Sequence, residues 1–157
     1  MLRIVVFTGA MLASSLAVAA PPAKFLHAAI QGDNSETRLG QLIATQGASS
    51  SVRNFGSTLV SDHTQARAQA VEVARKMHVP APSSMMPEAR AEYAKLKRLH
   101  GPAFDREVRR YMVNDHRKDI ADFEQQARGR ERSTAALAQA QLPTLRKHLR
   151  LAESLPR

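Results

Sequence analysis

Six residues in this chain have the types and spacing to do chemistry: Glu36, the adjacent pairs Asp62-His63 and Asp115-His116, and His148. Each falls on or beside an apolar stripe of helical period. Carboxylates and imidazoles are the hard and borderline donors that bind divalent transition ions, and they are also the pairs that trade protons in acid-base work. Placed in a core they cannot stand alone, because an unpaired buried charge costs several kcal/mol. They must therefore pair with one another, accept hydrogen bonds or hold a cation. Adjacent helical residues point about 100° apart, so Asp62 and His63 do not readily ligate one ion together. The expected metal-free arrangement is reciprocal, with Asp62 meeting His116 and Asp115 meeting His63. The alternative is a site for a divalent transition metal, with Glu36, His63, His116 and His148 as ligands and Asp62 and Asp115 orienting them.

The elements that carry these residues follow from periodicity. Phe25, Ala29, Gly32, Glu36, Leu39 and Ile43 recur in steps of four and three, which predicts a first helix with Glu36 inside its buried stripe. Gly47 and Ser49-Ser50-Ser51 form a break with N-cap chemistry. Val52, Phe55, Leu59, Asp62, Ala66, Val73 and Met77 predict a second helix to about residue 78. Val79-Pro80-Ala81-Pro82-Ser83-Ser84 reads as a crossover linker, since its prolines remove donors and favour extended backbone. A short helix from Pro87 to Leu99 should follow, then a long one carrying Phe104, Val108, Met112, Asp115, His116, Ile120 and Phe123. The last helix holds Leu137, Leu142, Leu145, His148, Leu149 and Ala152, with Pro143 expected to kink or restart it. Leu59-Val60-Ser61-Asp62-His63 resembles Met112-Val113-Asn114-Asp115-His116, which predicts two helical hairpins with an Asp-His pair on the second helix of each. No stretch carries strand signals.

The first nineteen residues have a single Arg3, an apolar run and an Ala17-Val18-Ala19 site before Pro21-Pro22, the pattern of a signal peptide. Residues 20–157 then form one domain, expected to be exported, with no transmembrane span in the mature form. The chain has no cysteine, so a metal must be held by His, Asp or Glu and no disulfide braces the fold. There are 23 Lys and Arg against 14 Asp and Glu, a balance that favours anionic envelope material as a partner. Few aromatics and no Trp argue against nucleic acid, whose bases need stacking surfaces. No phosphate loop, nucleophile elbow or Cys-His arrangement indicates an enzyme. His27, His78 and His100 sit near termini and breaks, and Met85-Met86 reads as packing beside the linker.

Four ordered stretches resemble the bacterial family known as domain of unknown function 4142: Phe25-Leu26-His27-Ala28-Ala29 with Glu36, Phe55 to His63, Gly101-Pro102-Ala103-Phe104-Asp105 leading to Asp115-His116, and Leu142 to Leu149. The resemblance implies an all-α, ferritin-like four-helix bundle, commonly exported and periplasmic or associated with the outer membrane, with no established activity. Di-iron proteins of ferritin type use Glu-x-x-His on two helices. Here Val60, Val113 and Leu145 occupy the positions three before the histidines. Two functions follow from the sequence: a non-enzymatic envelope or stress-related domain with a structural Asp/His/Glu network, and a periplasmic metal-binding protein using the same residues.

Overall fold

A computed structural model describes residues 20–157; the expected signal peptide lies outside the described residues. The described residues form five helices and no strand: α1 (Pro22–Gln46), α2 (Ser50–Lys76), α3 (Pro87–Leu96), α4 (Gly101–Ala127) and α5 (Arg132–Ser154). None is long and apolar enough to cross a membrane.

Helix ends are set by local chemistry. Ser49 caps α2 by accepting from the Val52 amide, and Asp105 of α4 accepts from the Ala48 and Ser49 amides at 2.8 and 2.9 Å. His78 closes α2 with φ 55°, the left-handed conformation of a helix C-terminus, while Val79 donates back to the Ala74 carbonyl. Glu131 caps α5 through the Ser133 and Thr134 amides. Pro143 neither ends nor restarts α5, which runs through it to Ser154. Its missing N–H only frees the carbonyl one turn earlier, and Leu142 and Leu145, both buried, hold the helix on either side.

Helix α1 packs along α2 and α4 along α5, while α2 also meets α5 and α1 meets α4. The four long helices thus run round the bundle in the order α1, α2, α5, α4, with α2 and α4 diagonal. The α1–α2 approach is backbone to backbone: a Cβ on Gly56 would lie 2.4 Å from the Ala44 nitrogen, and one on Gly40 would lie 2.8 Å from the Gly56 carbonyl oxygen. Because the helices are antiparallel, that crossing fixes their register. Asp33, seven residues before Gly40, therefore comes level with His63, seven after Gly56.

The extended linker is pinned to α1, with the Asn34 amide donating to the Pro82 and Ser84 carbonyls and the Ser35 hydroxyl accepting from the Met86 amide. Met85 enters the core. The pair of hairpins is α1–α2 and α4–α5, so Asp115-His116 lies on the first helix of its hairpin, not the second. Helix α3, ten residues long, is too short to act as α4's antiparallel partner.

The core is apolar at both ends and polar in the middle. One cluster contains Leu39, Ile43, Phe55, Leu59, Phe104 and Met112; another contains Phe25, Leu26, Ile30, Ala70, Leu137 and Ala138. Asp33, Glu36, His63, His116 and His148 are all buried, and on each helix they fall between the two apolar groups in sequence.

Candidate metal centre in the polar layer

Three histidines from three helices converge in this layer. His63 of α2, His116 of α4 and His148 of α5 each offer a ring nitrogen within 4.8 Å of the others. Their ring centroids are 5.1 to 6.1 Å apart, and His116 and His148 are fully buried. Each ring is anchored through one nitrogen. His63 Nδ1 lies 2.9 Å from Asp33 Oδ1, His148 Nε2 lies 2.8 Å from Asp62 Oδ2, and His116 Nδ1 lies 3.0 Å from the Met112 carbonyl oxygen. All three partners are acceptors, so the anchored nitrogen carries the hydrogen and the other holds a lone pair. Those others, His63 Nε2, His116 Nε2 and His148 Nδ1, are buried and have no hydrogen-bond partner.

Burial favours the neutral form of His116 and His148. Burial, then repulsion from His63 and His148, pushes His116 down to about 3; burial, then His63, brings His148 down to about 4. Burial alone would raise the Asp62 carboxyl, but hydrogen bonds from Lys147 and His148 outweigh it and hold Asp62 below its ordinary value. Asp62 is thus an anion tied to His148, and Asp33 makes the corresponding contact at His63, although there burial outweighs the His63 contact and raises the carboxyl.

The carboxyls on the α1–α4 side behave differently. Glu36 is buried, and both its oxygens lack a hydrogen-bond donor. It is pushed well up, by burial first and then by Asp115 beside it. Burial also raises Asp115, while burial followed by Asp115 raises Asp119 to about 8. Two carboxylates have no hydrogen to share, so Glu36 and Asp115 form a hydrogen bond only when one takes up a proton.

Of the six residues expected from sequence, the structure brings His63, His116 and His148 together and sets Asp62 against His148. Glu36 and Asp115 stand together across α1 and α4, and Asp115 makes no hydrogen bond to a histidine. The reciprocal pairs Asp62–His116 and Asp115–His63 are not formed. With α2 diagonal to α4, Asp62 faces α5 and His63 reaches back to α1. Asp33 went unrecognised in the sequence. Its signal was present three residues before Glu36, on the same helical face, and Asp119 likewise lies one turn after Asp115.

Residues 8–155 match the family described as domain of unknown function, DUF4142. The chain belongs to that family. No match was found among curated proteins or among solved structures. The family carries no reaction with it, so the chemistry of the site rests on the geometry of these side chains.

Proposed function

We propose that this DUF4142 protein is an exported, ferritin-like metal-binding bundle that holds one zinc or copper ion on His63, His116 and His148. The observation that supports this reading most directly is the trio of buried, partnerless ring nitrogens. A structural network would leave three lone pairs unpaired, at about 1–3 kcal/mol each. One water among them has two hydrogens to donate and satisfies only two. A cation satisfies all three. The anchoring contacts agree, because ligand imidazoles characteristically donate their far N–H to a carboxylate or a backbone carbonyl. Two carboxyl groups, Asp33 and Asp62, stand one hydrogen bond away from His63 and His148, where they can balance the charge of the ion.

Three imidazoles favour late first-row ions, and zinc with three protein ligands keeps a fourth position for water or another ligand. Glu-x-x-His is absent, which argues against di-iron chemistry. Export is supported by the sequence pattern of the first nineteen residues, and anionic envelope material fits the excess of basic residues. The test is metal content by mass spectrometry on protein purified without chelator, beside the variant His63→Ala/His116→Ala. Near-stoichiometric zinc or copper that the variant loses sustains the reading. Empty protein that gains no thermal stability from added zinc or copper overturns it in favour of a structural network.

A further inference from the structure

The polar layer opens onto a cavity of about 460 Å³ between α1, α2, α4 and α5. Its charge is the reverse of the protein's. A chain with 23 basic and 14 acidic residues lines this cavity with six carboxylates and one lysine, Lys118. Three of the carboxylates, Asp115, Asp119 and Asp122, follow one face of α4 in steps of four and three. Only the outermost is freely exposed. Asp122 is 57% exposed and pairs with Lys118 at 3.1 Å, whereas Asp119 and Asp115 are half-buried. At the inner end stands Asp33, 5% exposed, with Oδ1 on His63 and Oδ2 without a partner. His63 itself is on the cavity wall, while His116 and His148 are not among its lining residues.

We propose that this cavity is the loading route for the metal ion. A hydrated divalent cation enters at Asp122, passes Asp119 and Asp115 to the partnerless oxygen of Asp33, and is delivered to His63. The inference rests on the metal-site reading above and adds a direction and a kinetic role to it. A basic exterior repels cations, so uptake needs a local region of opposite potential, and an acidic concavity with low-dielectric walls supplies one. The unpaired Asp33 oxygen provides a last inner contact before exchange onto imidazole nitrogen. Lys118 sits at the mouth as the opposing charge.

Stopped-flow mixing of metal-free protein with Co(II), read by the visible absorption of the low-coordinate cobalt complex, tests this at low ionic strength and at a pH above about 8, where Asp119 carries its charge. Asp119→Asn/Asp122→Asn should slow association by roughly tenfold, with the end-point absorbance retained. Asp122→Asn alone should slow it by a smaller factor, and Lys118→Gln should speed it. Glu72→Gln, exposed on α2 and away from the cavity, should match wild type. Added salt should shrink these differences. Equal rates for wild type and the double variant, both reaching full end-point, overturn the route while leaving the site intact. Wild type that develops no cobalt absorption overturns the site and the route together. If the double variant loses its helical circular dichroism, the two exposed single variants decide the matter: opposite shifts sustain the route, and rates equal to wild type overturn it.

Discussion

The dipeptide Asp-His occurs once on α2 and once on α4, and its two copies have opposite surroundings. On α2, Asp62 looks outward to Lys147 and His148 and stays ionised, while His63 turns inward onto Asp33. On α4, burial raises the Asp115 carboxyl against the lowering contact with Glu36, and His116 hangs from its own helix's Met112 carbonyl. Identical local sequence therefore gives one aspartate that anchors a histidine of the polar layer and one that does not. The partner helix makes the difference. Helix α2 meets α5, which brings a lysine and a histidine; α4 meets α1 at Glu36, which brings another acid.

The sharpest way to break this comparison is to delete the rings that both copies share. His116→Ala or His63→Ala should abolish stoichiometric zinc or copper binding, as measured by titration calorimetry and metal content. Either loss leaves two imidazoles, so the two substitutions should be equally severe despite the different anchors. Next comes the pair of aspartates. Asp62→Asn keeps an acceptor for His148 but removes the charge, and should weaken metal affinity by about 10–100-fold. Asp115→Asn should leave equilibrium affinity unchanged and raise the denaturation midpoint of the metal-free protein, because it relieves Glu36 of a competing charge. If the two variants lose affinity equally, the distinction between the copies is wrong.

A smaller effect separates the two sides by pH. Asp119 is raised to about 8, so its contribution to stability is fully present below its ordinary unfolded value and is lost as pH rises through about 8. His116 and His148 are lowered to about 3 and 4, so theirs is present above the ordinary histidine value and is lost as pH falls through the acid range. The urea-unfolding free energy of metal-free protein should therefore decline between about pH 6.5 and 8, by on the order of 1 kcal/mol. Asp119→Asn should make that alkaline decline shallower, leaving the share due to Glu36, and leave the acid limb in place. The smallest effect belongs to Lys147→Gln. It removes the exposed half of the Asp62 cluster but keeps the His148 contact, and should change metal affinity less than Asp62→Asn in the same calorimetric titration.

The sequence by itself determined the helices, because the apolar period, the prolines and the capping residues act within a few positions of one another. The stripe of Phe25, Ala29, Leu39 and Ile43, the break at Gly47 and the Pro80/Pro82 linker all lie where the period and the breakers put them. It also placed His116 and His148 on core-facing stripes, whereas on α2 the stripe ran through Asp62 with His63 beside it, and it is His63 that the bundle buries. Pairing was beyond its reach. Whether Asp62 meets His116 or His148 depends on which helices are adjacent and which are diagonal, and local periodicity carries no information about that order. The level of Asp33 with His63 was settled by the Gly40–Gly56 crossing, a contact between residues far apart in the chain. The protonation preferences of Glu36, Asp115 and Asp119 depend in turn on burial and on charges across helices. These are properties of the packed bundle, and only its tertiary structure decided them.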